Sequence, residues 1–231
     1  MYLSIDHGAI FVADSHYNER KPEFLIFLKK LQNKEIITTQ LFLMGDMFDF
    51  ISGESKYFIK RNQELINIIN ELSHQMQIVY LEGNHDYNMD SLFENVLVVK
   101  REEQPLNAKY NDKSVSLSHG DNFTPWHYNL YCKIIRNRVL LAFLNLIDFN
   151  NFISKKIYYS LLEKNICSKM KDFNSFAKKR INNYKSDIII EGHFHQGKEF
   201  TLDYQQYINI PSLFCDKKYI ILKENFEGEN L

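Results

Sequence analysis

Tryptophan occurs once, cysteine three times, proline four times and glycine eight times in 231 residues. So little proline and glycine excludes collagen-like and Pro/Gly-rich disordered chains. Three cysteines are odd in number and too few for a disulfide framework, and no basic n-region with an apolar h-region follows Met1. Cys132, Cys167 and Cys215 are therefore expected to be reduced, in a cytoplasmic protein. No uninterrupted apolar run reaches the roughly 18 residues that a membrane span needs, so any membrane contact is expected to be peripheral. Internal repeats and low-complexity linkers are absent as well. What is present is 45% hydrophobic composition, enough to bury one good core with a small attached subdomain.

The net charge of −1 conceals an asymmetry. Residues 133–185 hold 12 of the 28 Lys and Arg but only Asp148, Glu163 and Asp172 among the acids, a local charge of +9 against −10 for the remainder. Such a basic block attracts anions: phosphates, nucleotides or an acidic membrane surface. Its basic residues lie among apolar ones and form no aromatic-interleaved track for a polymer, which argues against nucleic acid as a partner.

Residues 41–49, Leu-Phe-Leu-Met-Gly-Asp-Met-Phe-Asp, organise the chain. An apolar run of strand length empties into Gly45-Asp46, which delivers a carboxylate to the C-terminal edge of a buried strand, where open α/β sheets place their ligands. Four other short apolar runs end alike, at Asp14-Ser15-His16, Gly83-Asn84-His85-Asp86, His119-Gly120-Asp121 and Gly192-His193-Phe194-His195. The strands expected are residues 9–13, 36–44, 78–81, 96–99, 114–117 and 187–190, with more at 198–222 around Pro211. Pro22 opens a helix that carries Phe24, Leu25, Leu28 and Leu31, and one long helix covers 56–73, closed by His74 as a helix-end charge. Successive β-α units argue for a layered α/β sandwich. Residues 125–185 read as all helix, inserted between two ligand-bearing strands as a cap (sandwich 1–124 and 186–231). The polar tail 224–231 is expected to be frayed.

A lone histidine at a strand exit is ordinarily structural. Here five of the eight histidines (His16, His85, His119, His193, His195) fall at such exits, which packing alone does not readily produce. Asn84 adds an amide oxygen, a fair ligand for a hard cation. The inventory is too large for one ion and suits two metals sharing Asp46. Asp49 reads as a turn or supporting acid, His7 as incidental, and His127 either touches substrate or caps a helix.

The ordered set D-x-H, G-D-x-x-D, G-N-H-D, H-G-D and G-H-x-H, spanning residues 9–195, resembles the calcineurin-like metallophosphoesterase superfamily. That resemblance implies a four-layer α/β/β/α metallophosphoesterase sandwich with a helical cap insertion. It implies one metal on Asp14, His16, Asp46 and His195 and a second on Asp46, Asn84, His119 and His193. Catalytic roles fall to His85, stabilising the transition state or protonating the leaving oxygen, and to Asp86, which would orient it. The mixed donor set suits two divalent ions, Mn²⁺ foremost.

Within the superfamily, the helical insertion after H-G-D looks like that of the UDP-2,3-diacylglucosamine pyrophosphohydrolases of lipid A synthesis. The resemblance implies a lipid-linked nucleotide sugar as substrate at the inner membrane surface. Trp126, Tyr128, Arg136, Lys155 and Lys156 are candidate substrate-binding residues on or beside an unusually apolar helical stretch that runs from Phe123 through Tyr131, Ile134, Val139 and Phe143 to Leu146. That stretch equally reads as packing of the cap onto the sandwich. Two departures stand out: His85 replaces the Arg usual in those enzymes, and Thr124-Pro125-Trp126-His127 replaces their acidic pair after H-G-D. A phosphatase or phosphodiesterase acting on a soluble nucleotide or phosphoprotein is the alternative; a non-catalytic scaffold would have lost ligands that this chain retains.

Overall fold

Apolar strands with hydrophobic side chains on both faces need cover above and below, and this dictates layers. In the computed structural model, which describes residues 3–231, they assemble into two six-stranded sheets. One runs, in spatial order, Phe226–Asn230, Lys218–Leu222, Ile10–Val12, Gln40–Leu43, Gln77–Leu81 and Val96–Val99. Its centre is parallel, with Ile10 opposite Leu41, Val12 opposite Leu43, and Leu43 opposite Tyr80. The other runs Leu3–Ser4, Leu106–Tyr110, Lys113–Ser118, Ile188–Glu191, Gln205–Asn209 and Lys198–Leu202. Its centre is parallel too: Ile188 faces Val115 and Ile190 faces Leu117.

Strand alternation sorts the side chains into three cores. Ile10, Leu41, Leu43 and Ile78 point outward onto Phe24, Phe27 and Leu28 of helix Glu23–Gln32 and Leu65 and Ile69 of helix Gln63–Ser73. Their neighbours Phe11, Phe42, Met44, Val79 and Leu81 point inward, against Val115, Leu117, Ile188 and Ile190 of the opposing sheet. Beyond that sheet, Phe173, Ala177 and Ile181 of helix Phe173–Ile181 cover Ile189 and Tyr207. The layers are therefore helix, sheet, sheet, helix, and the parallel strands of both sheets open toward one end.

Several expectations change. The second strand begins at Gln40 and not at residue 36: the Thr38 hydroxyl is placed against the Gly8 and Gln40 carbonyls at 2.8 and 2.9 Å, and pairing with the neighbouring strand starts only at Gln40 opposite Gln77. The expected 56–73 helix is two, Lys56–Arg61 and Gln63–Ser73, broken at Asn62, whose side chain bonds the Phe58 carbonyl at 2.8 Å. The tail is no frayed end: Phe226–Asn230 pairs antiparallel with Lys218–Leu222, anchored by Phe226, which packs edge-on to Phe11. Polarity misled there because this edge strand buries only Phe226, while Glu227, Gly228 and Asn230 face solvent. Residues 1 and 2 of the expected sandwich lie outside the described residues.

The helical block comprises Trp126–Ile135, Arg138–Ile147, Phe152–Leu162 and Phe173–Ile181. The last covers the outer face of the second sheet, and Tyr158 and Leu162 of Phe152–Leu162 pack into the core of the first; Trp126–Ile135 and Arg138–Ile147 are largely exposed. On Arg138–Ile147, only Leu141 is buried, while Val139 is 79% and Leu146 76% exposed. Packing onto the sandwich therefore does not account for the apolar stretch, which faces outward. Among the described residues, no helix is long and apolar enough to cross a membrane. Against the expectation of three reduced cysteines, Cys167 and Cys215 form a disulfide that ties the loop after helix Phe152–Leu162 to the sandwich, and Cys132 is buried and free.

Candidate metal centre

The five strand exits converge at the open end of the sheets. Asp14 follows strand Ile10–Val12 and donates its N–H to the Gly45 carbonyl at 3.1 Å, while His16 N–H reaches Asp46 O at 3.0 Å. These cross-links fold two loops against each other. Asp14, His16, Asp46, His193 and His195 all have left-handed backbones, with φ from +44° to +61°. That conformation costs an L-residue of order 1 kcal/mol, and it aims successive side chains at one point.

Ligand atoms of Asp14, His16 and His195 lie within 4.8 Å of one another, as do those of Asp46, His119 and His193, and of His16, Asp46 and His85. Asp46 Oδ2 stands 3.7 Å from His16 Nε2 and 3.5 Å from His119 Nε2, between the two groups. Asn84 Oδ1 is 3.4 Å from His119 Nε2, and His193 Nδ1 is 3.2 Å from the same atom. The Met44 carbonyl takes His119 Nδ1 at 2.9 Å and the Ile166 carbonyl takes His195 Nδ1 at 3.0 Å, so both rings turn Nε2 inward. Carbonyl partners on the far nitrogen are how proteins orient metal-ligating imidazoles.

Burial lowers His16 well below its ordinary pKa, and burial and then the neighbouring His119 lower His193. For Asp46, burial works against ionisation, but His119, His85 and His16 hold the carboxyl well below the usual carboxylate range. Burial likewise opposes charge on His119, yet Asp46 raises it to about 10. The donors fit divalent ions. Asp14 Oδ2 and His16 Nδ1 are buried without a hydrogen-bond partner, and the cradle excludes side chains: a Cβ on Gly83 would lie 2.2 Å from Asp46 Oδ1, and one on Gly45 2.5 Å from His119 Nδ1. Two groups sharing Asp46 would hold two ions, with Asp14, His16 and His195 on one side and His119, His193 and Asn84 on the other.

His85 stands beside this set, its Nδ1 against the Asp49 carbonyl and its Nε2 3.5 Å from Lys164 Nζ. The expectation that Asp86 orients the His85 ring is corrected here. Asp86 instead accepts from Asp46 N–H (3.0 Å), Met47 N–H (2.6 Å), Gly83 N–H (2.8 Å) and Tyr80 O–H (2.6 Å). It holds the two ligand loops together. Asp49 lies behind His16 and pairs with buried Lys21 at 3.1 Å.

The candidate substrate residues divide. Trp126 is 76% exposed, and Lys155 and Lys156 are exposed. Tyr128 packs under the Arg101 guanidinium. Arg136 turns its guanidinium inward: it bonds the Gly83 carbonyl at 2.7 Å and Glu82 at 3.3 Å and lies 3.7 Å from Asp121. His127 touches Trp126.

Sequence reasoning missed the braces. Gln104 accepts from His119 N–H at 2.7 Å and donates to Glu82 O at 2.8 Å. Arg180, paired with buried Glu191, donates to the Gly120 carbonyl at 2.8 Å and so supports the H-G-D turn. Lys169 from the end of the block bonds the His195 carbonyl. None sits in a strand exit, so no local pattern marks them.

Over 213 residues, 87% of this chain and 84% of the relative, the sequence is 25% identical to a UDP-2,3-diacylglucosamine hydrolase of Wigglesworthia glossinidia brevipalpis. It is 26% identical over 216 residues to one from Haemophilus influenzae, covering 83% and 86% of the two chains. An archaeal phosphodiesterase structure aligns over 96% of this chain and 99% of its own, with TM-score 0.49 and 13% identity. The family model of the calcineurin-like phosphoesterases matches residues 9–197, a span that begins at the first buried strand and ends just past His195. The chain belongs to the calcineurin-like phosphoesterases, and it is a metal-dependent hydrolase of that family.

Proposed function

We propose that this hydrolase cleaves the diphosphate of UDP-2,3-diacylglucosamine, giving UMP and 2,3-diacylglucosamine 1-phosphate, at the inner membrane surface. One observation carries the reading. The outward-facing apolar helix Arg138–Ile147 starts two residues after Arg136, which is bonded to Gly83 next to the ligand Asn84. A surface for acyl chains thus begins beside the reacting centre. Val139, Leu140 and Phe143 of this helix and Ile134 of the preceding one form a shallow apolar groove edged by Lys133 and Asn137. An acyl chain contributes about 0.8 kcal/mol per buried CH₂, so a short groove suffices to select a lipid over a soluble analogue.

Two divalent ions, Mn²⁺ by this reading, supply the positive charge that activates water and neutralises phosphate oxygens in an in-line displacement. The chain's own residues do the rest. With its Nδ1 on the Asp49 carbonyl, His85 presents Nε2 toward the leaving oxygen, where Lys164 adds a cation. That lysine stands where an Arg at position 85 would otherwise provide charge. No protein nucleophile is required.

The test is Mn²⁺-dependent UMP release from UDP-2,3-diacylglucosamine in mixed micelles, beside UDP-N-acetylglucosamine and a small chromogenic phosphodiester. Turnover of the diacylated substrate alone supports the reading. A second reading, hydrolysis of a soluble phosphodiester or nucleotide, is favoured by His85 and by Arg136 being turned inward; turnover of the small substrates alone would establish it.

A further inference from the structure

A cavity of about 210 Å³ lies between the sandwich and helix Phe152–Leu162, and it shares no residue with the apolar groove. Its walls begin where the metal ligands end. Tyr17, Asn18 and Glu19 follow His16 directly, and Asp49, three residues after Asp46, forms part of the wall while standing 3.7 Å from His16 Nδ1. The cavity thus lies across His16 from the candidate metal centre, on the Nδ1 side of that ring.

Its chemistry is not that of an acyl pocket. Aromatic rings of Phe50, Phe58 and Tyr158 provide flat apolar faces, but the rim is ionic. Arg61 lies over the Tyr158 ring at 4.0 Å and bonds Glu19 at 2.9 Å and Tyr158 O–H at 2.8 Å through Nη2. A hydrocarbon chain would desolvate this pair without replacing its hydrogen bonds. The volume is below the usual range for a drug-sized ligand and suits one small ring system. A nucleobase meets both demands: its π-faces stack on aromatic rings, and its edge carries amide-like donors and acceptors.

We propose that this cavity is the nucleobase subsite and that it takes the uracil ring of a uridine nucleotide. The Glu19 carboxylate accepts from the ring N3–H, and the Arg61 guanidinium, with its fork of five donors, serves the adjoining carbonyl oxygen. Cytosine has a lone pair at N3 and no proton to give, so Glu19 rejects it. The subsite rests on the reading of the chain as a hydrolase of a uridine-linked lipid, and it separates the two ends of that substrate: base in the aromatic cavity, acyl chains on the apolar helix.

Calorimetric titration of the Mn²⁺-loaded full chain with UMP, CMP, ribose 5-phosphate and inorganic phosphate tests it. UMP is expected to bind at least tenfold more tightly than ribose 5-phosphate or CMP. Arg61→Met, which keeps an unbranched side chain but removes the guanidinium that lies over Tyr158, should bring UMP to within about twofold of ribose 5-phosphate and leave inorganic phosphate unchanged. Glu19→Gln, an exposed position, should remove the preference for UMP over CMP and serves if Arg61→Met does not fold. Equal affinities of the wild type for UMP and ribose 5-phosphate would overturn the subsite, as would UMP binding indifferent to both variants. UDP-2,3-diacylglucosamine turnover with no base preference sinks the subsite alone. Base-dependent UMP binding without that turnover sinks the lipid substrate alone.

Discussion

Replacing Asp86 with Asn changes one atom, yet four donors surround that carboxylate: Asp46 N–H and Gly83 N–H on Oδ1, Met47 N–H and Tyr80 O–H on Oδ2. An amide has one acceptor oxygen and one NH₂. Its best placement puts oxygen at Oδ1, which keeps Asp46 and Gly83, and the NH₂ at Oδ2. The Tyr80 hydroxyl can rotate to accept, but the Met47 N–H cannot, and it now faces another donor in a fully buried site. One lost charge-assisted bond and one unsatisfied buried N–H together cost about 2–3 kcal/mol. Because Met47 follows Asp46, the distortion reaches the shared ligand. Urea unfolding of metal-free protein should show that loss, and Mn²⁺ titration should show affinity weakened by tenfold or more. Asp86→Ala, which abandons all four donors, should be worse on both counts. If Asp86→Asn lost less than about 0.5 kcal/mol and bound Mn²⁺ like wild type, the carboxylate would not be the brace between the two loops.

Gly83→Ala places a Cβ 2.2 Å from Asp46 Oδ1 and should abolish metal loading, measured by metal content after gel filtration, while the secondary structure survives by circular dichroism. Arg136→Ala breaks ties to Gly83, Glu82 and Asp121; it should destabilise by about 2–3 kcal/mol and slow lipid and small phosphodiester substrates alike, whereas a rise in KM confined to the lipid would return Arg136 to substrate binding. Metal-free His119, raised to about 10 by Asp46 against burial, carries a proton that any cation must displace. Its pairing stabilises the metal-free fold fully below pH 6.5 and ceases as pH climbs through about 10, so Mn²⁺ binding at neutral pH should release protons, read by calorimetry in buffers of different ionisation enthalpy. Glu82 is pushed up to about 7 by burial, with Met89 N–H and Arg136 opposing. A raised carboxyl favours the fold below pH 4.5 and loses that contribution as pH rises through about 7. The melting temperature of wild type should therefore drop relative to Glu82→Gln over that window, and a constant difference would refute the burial argument.

Much of the centre was legible because its candidate ligands sit where apolar runs stop. The run 41–44 announces a strand, and whatever follows a buried parallel strand lands at the sheet's open end. Asp14, His16, Asp46, Asn84, His85, His119, His193 and His195 could all be brought together on that rule, and the layered fold followed from the same strands. The braces could not be found so. Arg180 reaches Gly120 across 60 residues and Gln104 reaches His119 across 15, and such long-range bonds leave no periodic trace. Arg136 misled for a related reason: a basic residue in a basic block reads as solvent-facing, and only the fold reveals Glu82 beside it. The Cys167–Cys215 disulfide was likewise hidden, since odd cysteine counts say nothing about which pair the topology brings together.

The left-handed backbones of Asp14, His16, Asp46, His193 and His195 narrow the routes open to sequence drift. Among residues with side chains, Asp, Asn and His enter that conformation most readily, and all three also carry donor atoms that suit a divalent cation. Backbone preference and coordination chemistry thus select the same few letters. Glycine would relax the chain but brings no donor atom; glutamate brings a carboxylate but not the conformational tolerance. Only glycine would relax the backbone further at these five positions, and it brings no donor atom, so a lineage that stopped needing the donors would be expected to drift first toward glycine there.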